Sequence, residues 1–329
     1  MGKKRKYVGR ALTFDEQVDM LVKQGLQVQD RERAIHILQN VSYARLKNYL
    51  VPLMADRATH RFKCGATFEQ AYTYYGFDRR LRELIFHEME KIEISFRTRF
   101  AYASSEDNDG YWFEDPSYFK SEKAHNSILR KIALEIDRSD NDAITGFRKK
   151  YNNTFPPCWL MMEATSMGIL SNIYKEMRPG HVKRRIAEYY CVSDTVLESW
   201  LHHLVYVRNT CAHHGRLWNK TLSVRGLVPD SPKRWFPPLP SDGNQKVYFT
   251  LCMVKYLQDT VKPTNTFADR LLSLIDHFPN VDTRYMGFPE GWREDPLWNR
   301  SGGKIPSAET TAVSDAPAPP DTEPANTSL

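Results

Sequence analysis

The longest regular pattern in the sequence is a stripe of apolar residues, spaced three and four positions apart. Its members are Leu81, Ile85, Met89, Ile92, Phe96 and Phe100. That spacing places these side chains on one face of an α-helix for about five turns. No segment shows the sustained alternation of apolar and polar residues that a half-buried strand needs. The sequence therefore predicts an all-α fold in which this long helix has one buried face.

The ends of the other helices are indicated by capping residues and breakers. Side chains able to cap a helix N-terminus stand at Thr13, Asp30, Thr67 and Asp78, and the two threonines also have the acid or amide partner of a capping box. Segment 54–66 lacks an apolar period and is predicted to be a loop. Prolines exclude a helix from most of 222–243. Helices are predicted at about 13–24, 30–38, 41–50, 67–75, 78–100, 117–137, 140–151, 159–178, 181–190, 194–212, 245–261 and 266–277.

The chain divides into three regions by composition. Residues 1–11 form a basic flexible arm that contains Lys3, Lys4 and Arg5. Residues 12–300 are predicted to form a single helical domain. Residues 301–329 contain no aromatic residue and are rich in proline, alanine, serine and threonine. Such a segment cannot bury enough apolar surface to order itself, so a disordered tail is predicted.

Charge and cysteine content narrow the classes of function. The net charge is +6, and residues 301–329 carry one lysine and four acids, which leaves about +9 on the rest of the chain. A basic body favours a polyanionic partner such as RNA. The five cysteines show no C-x-x-C spacing, which is typical of reduced thiols in a cytoplasmic protein. No signal peptide or membrane span is expected.

A polar segment follows the helix predicted at 194–212. The helix begins at Ser193 or Asp194, and Gly215 is the expected stop because glycine tolerates a positive φ. The segment Arg208–Asn219 reads RNTCAHHGRLWN and gathers two arginines, two histidines and two asparagines. Asn209 and His213 lie one turn apart on the same face of an ideal helix, with Arg208 beside them.

These groups suit the cleavage of RNA by its own 2′-hydroxyl. The reaction needs a base for that hydroxyl, an acid for the leaving 5′-oxygen and positive charge on the phosphorane. An imidazole can exchange protons near neutral pH, and a guanidinium matches phosphate oxygens. No metal or other cofactor is required. The alternative is that the histidine and arginine only tie the helix end to its neighbours.

Four blocks of the sequence resemble one bacterial protein family. The spacing from Arg208 to His213 resembles the R-x4-H motif of HEPN domains. The whole of Arg208–Asn219 resembles the signature of the Abi family, the AbiD/AbiF-like abortive-infection proteins. Further blocks of that family are resembled, in the same order, by Ser42–Leu50, Phe77–Arg97 and Phe155–Tyr174.

The resemblance implies a fold, an activity and partners. It implies a HEPN-like helical bundle with additional N-terminal and C-terminal helices, and a metal-independent endoribonuclease that acts as an anti-phage toxin. It further implies a homodimer, and RNA both as substrate and as a small non-coding regulator. The catalytic residues would be Arg208, Asn209, His213 and His214. His214 also fits the motif spacing, but His213 is preferred because it shares a face with Asn209.

Other polar residues are assigned supporting roles. RNA contacts are expected from Arg216 and from Lys3, Lys4 and Arg5. Lys183, Arg184 and Arg185 are further candidates for RNA contact, although their pattern favours a solvated face. Glu93 and Arg97 stand one turn apart; their spacing alone would fit an exposed pair of small value, whereas the resemblance favours a partly buried pair that supports the motif helix. Glu163 lies in an apolar stretch, where an unpaired carboxylate is costly, so a bond to Arg208 or Arg216 is expected.

Two other functions fit the same residues. The motif could hold a structured RNA without cutting it. A metallohydrolase using His202, His203, His213 and His214 is the other reading, but His202 and His213 would lie about 16 Å apart along a helix, too far to share one ion.

Overall fold

The computed structural model describes residues 9–106, 108–230 and 235–299. The predicted tail and most of the predicted basic arm, including Lys3, Lys4 and Arg5, lie outside these residues. The described part is all-α, as predicted. Its helices are α1 (Phe14–Lys23), α2 (Arg31–Val41), α3 (Tyr43–Leu50), α4 (Phe68–Ser105), α5 (Glu122–Arg138), α6 (Asp142–Lys150), α7 (Cys158–Ala164), α8 (Met167–Glu176), α9 (His181–Tyr189), α10 (Asp194–Ala212), α11 (Val247–Val261) and α12 (Phe267–His277).

Helix α4 is the central element of the fold. It contains 38 residues, and it packs against α3, α7, α9, α10, α11 and α12. The apolar stripe from Leu81 to Phe100 is buried, as predicted. The prediction of two helices, with the second beginning at Asp78, is wrong. One continuous helix runs through Gly76, because the Asp78 side chain binds distant segments and does not cap a helix.

The remaining predicted ends hold where a local cap sets them. Thr13 and Thr67 both form complete capping boxes, and Asp30 caps α2. Ser193 is the residue that caps α10, by accepting a hydrogen bond from the N–H of Val196. No described helix has the length and apolarity that crossing a bilayer would demand.

Two segments differ from their predictions. Within 54–66, predicted to be a loop, strands β1 (Met54–Asp56) and β2 (Arg61–Phe62) pair antiparallel, and Met54 lies opposite Phe62. These strands are too short to show alternation in the sequence. The single helix predicted over 159–178 is two helices, α7 and α8, because Thr165 and Ser166 are extended.

The C-terminal helices α11 and α12 both pack against α4. Every residue of α11 from Val247 to Gln258 is buried. The proline-bearing segment before it crosses α11 at Gly226, where a Cβ would lie 2.5 Å from the Phe249 ring. Only glycine allows the chain to pass so close, so this segment is tied to the same core as α10.

Candidate active site

Helix α10 ends in a hydrogen-bonded turn that sets the positions of the motif residues. The N–H of Gly215 donates to the carbonyl of Thr210 at 2.7 Å, and the N–H of His214 donates to that of Cys211 at 3.0 Å. This pair of bonds is the Schellman motif. The left-handed residue is His214, with φ 56°, so the prediction that Gly215 supplies the positive φ is wrong.

Gly215 is required for a different reason. A Cβ at this position would lie 2.9 Å from Cγ2 of Thr210 and 3.1 Å from its carbonyl oxygen. The chain therefore folds back against the last helical turn only because residue 215 has no side chain. Asn209, His213 and His214 are all exposed around this turn.

Arg208 lies at the start of a chain of contacts that runs into the core. Its Nε is 4.0 Å from Oε2 of Glu93 on α4, and its side chain is 38% exposed. Oε1 of Glu93 accepts a hydrogen bond from Nη2 of Arg97 at 2.9 Å. Arg97 is buried and also donates to the carbonyls of Met162 and Thr165, which join α7 to α8. The Glu93–Arg97 pair is thus partly buried and contacts the motif helix through Arg208.

Two further contacts surround the Arg208 side chain. Its guanidinium carbon lies 5.8 Å from the centre of the exposed Phe86 ring. Its Nη1 lies 3.5 Å from Oδ1 of Asn209. The guanidinium is therefore held beside the exposed face of α10 and remains open to solvent on one side.

Asp78 anchors the other end of the motif. Its side chain is fully buried, and Oδ1 accepts hydrogen bonds from the N–H groups of Leu217 at 3.0 Å and Trp218 at 2.6 Å. Oδ2 accepts from the Tyr49 hydroxyl at 2.5 Å and from Arg82. Burial raises the pKa of the Asp78 carboxyl, and these four donors oppose that shift. A buried carboxylate of this kind is tolerated only when its oxygens are paired.

Helix α3 holds the same turn from outside. Arg45 donates to the carbonyl of His214 at 2.6 Å. Arg216 donates to the carbonyl of Asn219 at 3.1 Å, and its Nη1 lies 3.5 Å from the carbonyl of Asn48 on α3. The ring of Trp218 stacks on Tyr74, with centres 4.4 Å apart. The C-terminal part of the motif is therefore fixed by α3 and α4 together.

Sequence reasoning missed Asp78, Tyr49 and Arg45 as parts of the site. Arg45 and Tyr49 stand one turn apart on α3, and both belong to the block Ser42–Leu50. Asp78 lies next to the buried residues Phe77 and Leu81. A charged residue within an apolar helical face is a signal of a buried pair, and that signal was available.

Several predicted site residues lie elsewhere or are engaged. Lys183 is 3% exposed, and its Nζ lies 2.7 Å from Oε2 of Glu198, so burial removes it from any RNA-facing surface. Arg184 is exposed, whereas Arg185 pairs with Glu106. Glu163 is exposed on α7 and, within the described residues, makes no hydrogen bond or ion pair. The expected bond from Glu163 to Arg208 or Arg216 is therefore wrong, because this face of α7 is turned to solvent.

The titration of two neighbouring groups limits the chemistry. Burial raises the pKa of the Cys211 thiol to about 12, so this cysteine is not a nucleophile near neutral pH. His203 is fully buried between the carbonyl of Val224 and the hydroxyl of Thr250, each at 2.8 Å. Burial lowers the pKa of His203 to about 4, so it is a neutral core residue.

The four histidines considered for a metal site do not assemble. His203 faces the core, while His202, His213 and His214 are exposed. Within residues 9–106, 108–230 and 235–299, no group of three or more histidine, cysteine, aspartate or glutamate side chains is placed to hold a metal ion. The geometry therefore leaves Arg208, Asn209 and His213, with His214 beside them, as the exposed polar groups of this helix end.

A comparison with protein families adds to this geometry. The family model described as Abi-like protein matches residues 36–219, which is more than half of the chain. The matched range contains Asp78, Glu93 and the whole motif, and it ends at Asn219. No curated protein and no solved structure matches the chain.

Proposed function

Because this chain belongs to the Abi-like protein family, we propose that it is an abortive-infection protein and that Arg208–Asn219 forms a metal-independent, HEPN-type endoribonuclease site. The observation that carries the proposal is the contrast between the two sides of this segment. Its backbone is held by Asp78, Arg45 and Arg216, whereas the side chains of Asn209, His213 and His214 are exposed and available to a ligand.

Each residue has a role that its surroundings support. Arg208 is poised to neutralise charge on the phosphorane, since Glu93 positions its guanidinium without burying it. His213 supplies proton transfer to or from the 2′-hydroxyl or the leaving oxygen. Asn209 lies one turn away on the same face and can orient the phosphate or ribose. His214, in the left-handed position after His213, is the second imidazole of this helix end and is the alternative to His213 for the same role.

The partners follow from the same chemistry. In-line transfer needs an acid and a base on opposite sides of the phosphorus. One helix end supplies its imidazoles from a single side. Two copies related by a two-fold axis would face each other and complete the site. We therefore propose a homodimer with α10 at or near its interface, and RNA as substrate. A bound small RNA is the proposed regulator.

The test is cleavage of host RNA by purified protein, with and without EDTA. Cleavage should persist in EDTA and leave a 2′,3′-cyclic phosphate or its hydrolysis product. His213→Ala should lower the cleavage rate by roughly 10²–10⁴. His202→Ala is the matched control, because His202 is an exposed histidine of the same helix and lies outside the site.

The outcomes separate the hypotheses. RNA binding without cleavage would favour the non-catalytic RNA-binding function. Loss of activity in His214→Ala but not in His213→Ala would exchange the two histidines. A strict requirement for Mg²⁺ or Mn²⁺ would contradict the mechanism.

A further inference from the structure

An open groove of about 380 Å³ lies along α4, between the last residue of α9 and the last residue of α11. Ile94 and Val261 form its apolar walls, and Thr98 adds a hydroxyl. Ile94 is 56% exposed, so its side chain offers apolar surface to a ligand. Lys91 and Arg99 bring positive charge to the same groove.

More cations stand next to the groove. Lys262 directly follows Val261, and Arg270 and Lys91 both pair with Glu88, which lies 3.9 Å from the His87 imidazole; burial and these positive charges lower the pKa of His87. The carboxylate among them is Glu88, which is fully buried and pairs with Lys91 and Arg270. Glu90 is also close to His87. Lys262 is exposed and Lys91 and Arg270 are partly exposed, so these cations outnumber the exposed Glu90 on the solvent side of this cluster.

Arg99 has the geometry of a stacking platform. Its guanidinium carbon lies 3.7 Å from the centre of the Tyr189 ring, which is a stacked cation–π contact. Arg99 is exposed and, in the described part of the chain, forms no ion pair. One face of the guanidinium plane is therefore covered by Tyr189, and the other is open to a flat ligand. Bases of single-stranded RNA stack on arginine planes in this way.

The groove lies close to the candidate active site. Glu93, which contacts Arg208, is the residue immediately before Ile94 on α4. Consecutive residues of a helix point about 100° apart, so the groove and the Arg208 site occupy neighbouring faces of one helix. An RNA strand that crosses α4 would contact both the groove and the Arg208 site.

We propose that this groove binds a single-stranded segment of the RNA on which the motif acts. One base stacks on Arg99, and phosphates contact Lys262 and the neighbouring cations. This inference rests on the proposed function. A duplex is disfavoured, because its bases are already stacked on one another and cannot cover the Arg99 plane or the Ile94 side chain.

The test measures RNA affinity in a His213→Ala background, so that no RNA is cut. The probes are fluorescein-labelled oligouridylate and a fluorescein-labelled RNA hairpin, followed by fluorescence anisotropy at several salt concentrations. Arg99→Ala should weaken oligouridylate binding by about tenfold or more, since it loses stacking and charge. Arg99→Lys should weaken it several-fold but keep the salt dependence, because the charge remains. Lys262→Ala should lower the slope of log affinity against log salt by about 0.7.

The control is Lys131→Ala, which removes an exposed cation on α5. Circular dichroism should show that every variant keeps the parent's helix content, since the substituted side chains are exposed. The hairpin should bind more weakly than oligouridylate and should lose less affinity in Arg99→Ala.

Three results would overturn the inference. The first is that Arg99→Ala binds oligouridylate no more weakly than Lys131→Ala does. The second is that Arg99→Ala leaves RNA affinity unchanged and alters self-association in sedimentation velocity, which would make a second copy of the chain the occupant of the groove. The third is that the protein with His213→Ala alone binds neither probe, which would reject the proposed function together with the RNA-binding role of the groove.

Discussion

Asp78→Asn tests whether the buried carboxylate on α4 holds the motif in place. The substitution keeps the shape of the side chain but removes the charge that Arg82 and the Tyr49 hydroxyl bind. It also weakens the acceptor of the Leu217 and Trp218 N–H groups. Breaking a buried pair costs about 3–5 kcal/mol when one partner stays charged, so the free energy of unfolding should fall by about that amount.

A double-mutant cycle with Tyr49→Phe isolates one contact of this anchor. Tyr49 is 2% exposed, and phenylalanine fills the same space. Losing a hydrogen bond to a charged acceptor costs about 1.5–3 kcal/mol. Because the two residues touch, their effects should not add, and the coupling energy should be about 1–3 kcal/mol by urea denaturation. The tryptophan fluorescence of the protein should change in Asp78→Asn, since the Trp218 indole, one of seven in the chain, stacks on Tyr49 of this anchor.

Activity separates an anchor from a general contribution to stability. Glu88→Gln is the matched control, because Glu88 is another fully buried carboxylate of α4 that pairs with cations away from the motif. At saturating RNA, and under conditions where both variants are folded, Asp78→Asn should lose the cleavage rate and Glu88→Gln should keep most of it, because the cations that Glu88 binds are proposed to act on RNA affinity. Equal loss in the two variants, or a change in unfolding free energy below about 1 kcal/mol for Asp78→Asn, would refute the reasoning.

Three further outcomes are expected. Burial holds the pKa of His203 at about 4 in the folded state, below its ordinary value of 6.5, so between these pH values the unfolded chain binds a proton that the folded chain does not. The free energy of unfolding should therefore fall by up to ~3 kcal/mol as the pH drops from about 6.5 towards 4. His203→Gln should flatten that dependence in urea titrations. Arg208→Ala protein mixed with wild type should lower cleavage beyond dilution if the site spans a dimer; activity linear in the wild-type fraction would contradict this. Removing 301–329, which carries a net charge of −3, should leave RNA affinity unchanged in binding assays.

Local signals explain which parts of the fold were predictable. The capping boxes at Thr13 and Thr67 join residues three positions apart, so the sequence alone contains both partners. The long stripe of α4 and the prolines of 222–243 are equally local. The break between α7 and α8 was not predictable in this way, because Arg97, from another helix, binds the carbonyls at that break.

The candidate site shows the same division. Arg208, Asn209, His213 and their shared helix end follow from spacing in one segment. The sequence predicts Asp78 to be a helix cap, whereas in the structure it binds Tyr49, 29 residues before it, and Leu217 and Trp218, 139 and 140 residues after it. The i,i+4 partner Arg82 could be found in the sequence, but only the tertiary fold brings Tyr49, Leu217 and Trp218 to the same carboxylate.

The two anchors act on opposite ends of one segment, and α4 carries both. Glu93 meets Arg208 where the motif begins, and Asp78 holds the backbone where it ends. Because both carboxylates belong to one packed helix, they fix Arg208 and the turn after His213 relative to each other. Within the described residues, the His213 side chain makes no hydrogen bond, so nothing has to be broken before it meets a ligand. A backbone held by buried groups, with exposed side chains on the solvent side, is the arrangement that the proposed proton transfer at a bound phosphate needs.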